Sequence, residues 1–148
     1  MQTIRRIGVE EAELLLAGAR RRAAEIGVPM CIAVADESGT LTAFLREDGA
    51  KVTSVSIAID KAFTAAGARN HTTFYGHGSK PEGPAWGIDK TNGGHFTVIG
   101  GGVHVLEAGA VVGGIGISGG SAAQDHDVAM AAVAELTAAF PSLTTVTP

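Results

Sequence analysis

Histidines carry much of the side-chain chemistry that this sequence offers. His71, His77 and His95 bracket one irregular stretch, and His104 follows the glycines of 100–102. Because imidazole titrates near neutral pH, each is a candidate for proton transfer or for binding a metal-containing cofactor. Their spacings match no zinc motif, so no metal-ion site is predicted.

The four histidines are assigned different roles. Loops often carry binding sites, so we expect at least one of these side chains to face a ligand pocket, although an ordinary structural role competes for each. We predict His71, His77 and His95 as catalytic residues and His104 as a ligand-binding residue. The fifth histidine, His126, lies between two aspartates in the first turn of a predicted helix, and it is predicted to be either a solvated residue or one of the capping region.

Lys61 is the fourth catalytic candidate. It lies on a stripe of small residues along a predicted helix, where lysine is unusual. A partly buried ammonium can hold a substrate carboxylate, or act as a base when burial lowers its pKa. The competing interpretation is an ion pair with Asp36 or Asp48, or a side chain that extends to the helix edge.

Five more side chains are predicted to bind a ligand. Arg46 and Glu47 end a predicted hairpin and offer anion binding and proton transfer, or else a salt bridge at the rim. Tyr75 and Trp86 offer rings that stack on a planar ligand, or else a small satellite core. Ser121 begins a predicted helix whose free N–H groups suit a carboxylate.

Periodicity and turn residues predict the elements that must position these side chains. Helices are expected at 9–26, at 51–68 and from about 121 to 140, and strands at 30–35, 41–46 and 110–117. The apolar runs 96–99 and 103–106, on either side of the glycines, are predicted as further strands, and 70–92 as an irregular stretch. Gly27 and Pro29 end the first helix, and Ser121 with Gln124 forms a capping box.

The order of elements favours an α/β (α+β) fold over one domain, residues 1–148. Hairpins dominate, so the sheet should be mostly antiparallel and flanked by helices, with 110–117 at its centre. Residues 114–119 match GxGxxG between a strand and a helix. A dinucleotide site requires a βαβ unit that is not predicted here, so the glycines indicate close backbone packing.

Composition narrows the possible partners. The net charge of −4 argues against nucleic acid, and no apolar run reaches the roughly 18 residues of a membrane span. The N-terminus lacks a signal-peptide pattern, and a single cysteine, Cys31, fits a reducing compartment, so we expect a cytoplasmic protein. Hydrophobic residues form 45% of the chain, which favours a homo-oligomer.

Three segments together resemble the GlcG/HbpS family, which also supplies the C-terminal domain of PduO cobalamin adenosyltransferases. They are VADESGTLTAFLREDGA at 34–50, SIAIDKAFTAA at 56–66, and the glycines at 100–102 with VVGGIGISGGSAAQDHDVA at 111–129. The resemblance implies a sheet flanked by helices, often an oligomer, and in some members a bound haem or corrinoid. No histidine precedes His71, so a haem ligand on the first helix has no counterpart here, and His104 stands where the family commonly shows proline.

Three functions are compatible with the sequence. The first is a small-molecule-binding protein with haem or another tetrapyrrole as the ligand implied by the family. The second is a cofactor-independent lyase, isomerase or hydrolase, in which Lys61 or Arg46 binds an anionic metabolite and a histidine transfers a proton. The third is an oligomeric accessory protein without pocket chemistry.

Overall fold

The computed structural model describes residues 1–147. Its helices are α1 (Val9–Ile26), α2 (Ser54–Gly67), α3 (Thr72–Gly78) and α4 (Ala122–Ala139), and its strands are β1 (Cys31–Asp36), β2 (Leu41–Arg46), β3 (Gly102–Glu107), β4 (Ala110–Ser118) and β5 (Leu143–Thr144). Two single-turn 3₁₀ segments lie at Ile88–Lys90 and Asn92–Gly94.

The strands form one sheet in the order β2-β1-β4-β3-β5, and every pairing is antiparallel. The α+β prediction is confirmed, and β4 lies at the centre of the sheet as expected. All six residues of β1 are buried because helices cover both faces of the sheet. Ile32 and Val34 pack in the cluster formed with α1 and α4, whereas Ala33 packs with Ala58 and Ala62 of α2.

Local signals end α1 and begin α4. Gly27 adopts a left-handed conformation with φ 69°, which lets its N–H bond to the last carbonyls of α1. The Ser121 hydroxyl accepts a hydrogen bond from the Gln124 N–H, while the Gln124 side chain accepts one from the Ser121 N–H. The predicted capping box is therefore present.

The glycines of β4 allow α2 to lie directly on the sheet. A Cβ at Gly116 would collide with the Ala58 carbonyl and with Lys61, and a Cβ at Gly114 would press on Ala62 and Ala66. The GxGxxG match therefore serves close packing between a strand and a helix, as predicted.

Three predicted segments differ from the structure. The second helix begins at Ser54 because 51–53 form a tighter turn, in which the Ser54 N–H bonds to the Lys51 carbonyl. The stretch 70–92 contains α3, whose seven residues are too short for periodicity to reveal. Of the two apolar runs around the glycines of 100–102, 96–99 is not a strand, whereas 103–106 lies in β3.

Within residues 1–147, no helix combines the length and the apolar character needed to cross a bilayer.

Candidate functional site

Three histidines from distant parts of the chain meet at β3, and we call them the histidine cluster: His71 just before α3, His104 of β3 and His126 of α4. The rings of His71 and His104 have centroids 4.7 Å apart with an interplanar angle of 51°. The His126 ring lies 5.6 Å from that of His71 at 75°. His126 lies near the start of α4, as the capping-region alternative requires, but it is half-buried and not solvated, because the helix directs its ring against His71.

Short hydrogen bonds fix the segments that carry the histidine cluster. The Gly102 N–H donates to the Thr72 hydroxyl over 2.9 Å, which ties the start of α3 to β3. The His71 N–H donates to the Asn70 side-chain oxygen over 2.9 Å. At the other end of the ring, His71 Nε2 lies 2.8 Å from the Val146 carbonyl oxygen.

Burial keeps part of the histidine cluster neutral. Only 4% of the His104 surface is exposed. This burial, reinforced by His71, lowers the pKa of His104 to about 4. Burial also lowers the pKa of His126, with a further contribution from His71 that Asp127 opposes. At neutral pH His104 is therefore an uncharged imidazole, in which one ring nitrogen carries a lone pair.

The histidine cluster also holds unsatisfied polar atoms. The Nδ1 atoms of His71, His104 and His126 are buried, and none has a hydrogen-bond partner among residues 1–147. In the same part of the chain, no three side chains of the His, Cys, Asp and Glu types are arranged to hold a metal ion. Buried polar atoms without partners are rare in folded proteins and often mark functional sites.

A cavity of about 700 Å³ lies beside His104, and we call it the His104 cavity. Its apolar walls are Ile4, Leu106, Val111 and Val112, and its polar lining includes Arg5, Glu37, Arg69 and Glu107. Arg5 is already paired with Glu107 at 2.8 Å. Arg69 forms no salt bridge with residues 1–147, so its positive charge is available to an anionic group on a ligand.

His77 lies apart from His104, in a second cavity of about 380 Å³ that we call the His77 cavity. Its other lining residues include Lys80, Val98, Ile99 and His126. The four histidines singled out in the sequence therefore do not form one site. His71 and His104 meet, whereas His77 lines a different depression.

His95 is paired with a carboxylate at the surface. Its Nδ1 lies 2.7 Å from Asp60 Oδ1 of α2, and 65% of its side-chain surface is exposed. The Thr64 hydroxyl accepts a hydrogen bond from the Thr97 N–H over 3.0 Å. Its single hydrogen faces two carbonyl oxygens, that of Asp60 at 2.8 Å and that of His95 at 3.2 Å, so this hydroxyl lies between the two segments that carry the pair. A carboxylate on Nδ1 orients an imidazole for proton transfer at Nε2.

Lys61 is 1% exposed and forms an ion pair with Asp125 at the start of α4. Its Nζ lies 2.8 Å from Asp125 Oδ2 and 2.8 Å from the Ile117 carbonyl oxygen. The structure therefore shows the ion pair with a carboxylate that was the alternative interpretation, but the partner is Asp125 and not Asp36 or Asp48, because α4 brings Asp125 to Lys61. Burial lowers the pKa of Lys61 and the bond to Asp125 opposes that change, so the pair is a buried structural contact.

Arg46 and Glu47 line a third cavity, of about 480 Å³, together with Arg20 of α1. Glu47 Oε2 accepts a hydrogen bond from the Met30 N–H over 2.9 Å. Its Oε1 lies 3.9 Å from the Arg20 guanidinium. Glu47 thus has structural partners, while ligand binding by Arg46 stays a prediction.

The remaining predicted residues do not gather around one ligand. Tyr75 packs edge-to-face against Phe74 and Phe96, at 5.2 and 4.9 Å, and its hydroxyl donates to the Ala68 carbonyl. This arrangement resembles the satellite core that was the alternative interpretation. Trp86 is 62% exposed. The Ser121 hydroxyl is engaged in the capping box, and its role in ligand binding stays a prediction.

Sequence reasoning missed three partners in these sites. Asp60 lies 35 residues from His95, and nothing local connects the two. Arg69 lies two residues after the end of α2 and outside the predicted helix, so no pattern marked it. His126 follows Asp125, which is buried. Since successive residues of an α-helix are rotated by about 100°, His126 lies at the edge of the buried face of α4.

The fold and the histidine cluster define a class of small α+β domains. Its members have a five-stranded antiparallel sheet with helices on both faces, and here the buried His104 lies beside a cavity of about 700 Å³. The model of the HbpS-like family, described as haem degrading protein HbpS-like, matches residues 7–134. The chain therefore belongs to the HbpS-like family.

Individual relatives agree with this assignment. A curated 15.0 kDa protein of Citrobacter freundii, described as uncharacterized, is 33% identical over 132 residues, covering 89% of this chain and 93% of its own length. The corrinoid adenosyltransferase PduO of the same organism is 33% identical over 130 residues, which span 88% of this chain and 39% of PduO.

Solved structures share the architecture. Klebsiella pneumoniae protein ORFY superposes with a TM-score of 0.91 at 29% identity, covering 93% of this chain and 95% of ORFY. The complex of PduOC with haem gives a TM-score of 0.85 at 31% identity, covering 88% of this chain and 94% of PduOC. A double mutant of Streptomyces reticuli HbpS gives 0.82 at 28% identity, covering 90% of this chain and 89% of HbpS.

Proposed function

We propose that this protein binds a tetrapyrrole, with haem as the first candidate, in the His104 cavity. The observation that carries the proposal is His104 itself. It is almost fully buried, it lines the cavity, and its pKa of about 4 keeps the imidazole neutral at neutral pH. A neutral imidazole is the usual protein ligand of haem iron.

The other residues around the His104 cavity fit the same ligand. A volume of about 700 Å³ falls within the roughly 300–1,000 Å³ typical of small-molecule sites. Leu106 and Val111 offer apolar contact to a macrocycle, and the free guanidinium of Arg69 suits a propionate. Bound haem would supply a redox-active iron centre.

Two of the comparisons support haem as the first candidate. PduOC has been solved in complex with haem, and the family is described as haem degrading. The first helix of this chain contains no histidine. We therefore assign the ligating role to His104 of β3, whose side chain reaches a cavity of sufficient size.

A haem titration followed by absorbance tests the assignment. We expect a saturable Soret band with the wild-type protein and with His77→Ala, and its loss in His104→Ala. His77 is the matched control because it lines the separate His77 cavity. Retention in His104→Ala with loss in His77→Ala would move the site to the His77 cavity. A response that does not saturate in all three proteins would refute haem binding.

We infer a second candidate function, proton-transfer catalysis at His95, from its 2.7 Å contact with Asp60. A depression of about 300 Å³ lies next to Asp60 and offers room for a small substrate. Hydrolysis of p-nitrophenyl acetate tests the pair. Activity should fall in His95→Gln and Asp60→Asn but not in His77→Gln, whose ring is also exposed; equal rates in all four proteins would exclude this candidate.

We further propose that the protein is one domain, is cytoplasmic and self-associates. Three large apolar side chains support association, since Phe74, Trp86 and Ile99 are 61%, 62% and 53% exposed. Light scattering of the purified protein tests the oligomeric state, and a monomer at all concentrations would refute self-association. The buried free thiol of Cys31 is consistent with a reducing compartment.

A further inference from the structure

A backbone carbonyl determines which nitrogen of His71 carries the proton. His71 is 4% exposed, and its Nε2 lies 2.8 Å from the Val146 carbonyl oxygen. A carbonyl oxygen only accepts hydrogen bonds, so the Nε2 atom must be the donor. In a neutral imidazole the other nitrogen, Nδ1, then presents a lone pair.

The segment that supplies this carbonyl is anchored to the strand that carries His104. Strand β5 pairs with Leu106 and Glu107 of β3. The Thr137 hydroxyl of α4 donates to the Leu143 carbonyl over 2.7 Å. These contacts hold the chain that leads to Val146, so the orientation of the His71 ring is set by the fold.

Two unsatisfied nitrogens lie on neighbouring rings. Nδ1 of His71 and Nδ1 of His104 are both buried, and neither has a partner among residues 1–147. The two ring centroids are 4.7 Å apart, and no hydrogen bond joins the two Nδ1 atoms in the structure. Because the Val146 carbonyl holds the His71 ring, a turn of the His104 ring about its Cβ–Cγ bond is what would bring the two nitrogens together. A donor on His104 Nδ1 would satisfy the lone pair of His71, and both orphan atoms would be paired at once.

We propose that His71 holds His104 in the tautomer that carries its hydrogen on Nδ1, which leaves the Nε2 lone pair for a ligand in the His104 cavity. His71 is then a positioning residue, and the Val146 carbonyl acts through it. The Nδ1 edge of His104 is buried, so Nε2 is the polar ring atom left for the cavity side. The role of this tautomer in ligand binding rests on the proposed function, whereas the tautomer itself does not.

His126 is the other group that faces His71. Its ring is more distant, 5.6 Å against 4.7 Å, and nearly perpendicular to that of His71. Its Nδ1 also lacks a partner among residues 1–147, so it competes for the same lone pair. The shorter separation favours His104, and a variant of His126 separates the two possibilities.

Nitrogen NMR of the full chain labelled with ¹⁵N-histidine, without haem and at pH 7.5, tests the tautomer directly. We expect His104 to show a protonated Nδ1 and an unprotonated Nε2 in the wild-type protein. The signals should move toward the Nε2-protonated form in His71→Phe and stay unchanged in His77→Phe. His71→Gln, whose side chain offers both a donor and an acceptor, should restore much of the wild-type pattern.

Three outcomes would overturn the inference. They are a wild-type His104 protonated mainly on Nε2, an unchanged tautomer in His71→Phe, and a shift that occurs in His126→Ala instead. The wild-type spectrum alone decides the first of these, so the test holds even when His71→Phe fails to fold.

Haem titration separates this inference from the proposed function. Loss of a residue that orients a metal-binding histidine typically weakens binding about 10- to 100-fold, so we expect the Kd of haem to rise at least tenfold in His71→Phe. The His77→Phe control should bind as the wild type does. If the tautomer behaves as expected but the wild type binds no haem, only the proposed function is refuted. If haem binds through His104 and the tautomer does not change in His71→Phe, only this inference is refuted.

Discussion

The protein without ligand should lose stability as the pH falls from 6.5 to 4, because His104 is buried. Burial, helped by His71, lowers the pKa of His104 from 6.5 to about 4 in the folded state. The unfolded chain protonates the same imidazole at its ordinary pKa. Between these two values the unfolded state therefore binds more protons, and the free energy of unfolding decreases as the pH decreases.

The size of this effect follows from the two pKa values. One pH unit between them corresponds to about 1.4 kcal/mol, so the full interval corresponds to a loss of about 3 kcal/mol. Most of this stability is present at pH 7 and is gone at pH 4. The lowered pKa of His126 acts in the same direction, so the contribution of His104 must be isolated with a variant.

Urea unfolding of the wild type and of His104→Phe at pH 7 and pH 4.5 provides the measurement. Phenylalanine keeps a flat ring at this position but cannot be protonated, and His126 is present in both proteins. The wild type should lose about 2 kcal/mol more than His104→Phe between the two pH values. Equal losses in the two proteins would refute the argument that buried His104 is neutral.

Other substitutions probe packing and charge. Gly116→Ala should lower the free energy of unfolding by about 3 kcal/mol or more, because its Cβ collides with the backbone of α2. Gly67→Ala, in α2 itself, meets open space and should be neutral or slightly stabilising. Similar urea midpoints for the two variants would contradict this. Lys61→Met should lower the free energy of unfolding by about 3–5 kcal/mol, because it leaves Asp125 buried and unpaired. Adding Asp125→Leu should restore most of that stability. A double variant as unstable as Lys61→Met would argue against the pair. Ser121→Ala should lower thermal stability by about 1 kcal/mol through loss of the cap, and an unchanged melting temperature would exclude that role.

Features with local causes could be read from the sequence. The glycine at 27 defines the end of α1, the turn at 36–39 joins β1 to β2, and Ser121 with Gln124 begins α4. The apolar run of β4 predicted its central position, since a strand covered on both faces needs no polar side. Each of these depends on neighbouring residues alone.

The candidate site depends instead on contacts between distant segments. Asp125 is 64 residues from Lys61, and the Val146 carbonyl is 75 residues from His71. No periodicity encodes such pairs, because several aspartates and several histidines are equally eligible in the sequence. His104 could be proposed as a ligand-binding residue from its type, but its neutral state comes from burial that only the assembled sheet provides.

The Lys61–Asp125 pair has a further consequence for how the molecule opens. Lys61 belongs to α2 on one face of the sheet, and Asp125 begins α4 on the other, while the Ile117 carbonyl between them belongs to β4. Separating either helix from the sheet would break this buried pair, so opening on one face alone carries an added cost of about 3–5 kcal/mol. We expect amide hydrogens of α2 and α4 to exchange as a single cooperative unit, with the two layers behaving thermodynamically as one.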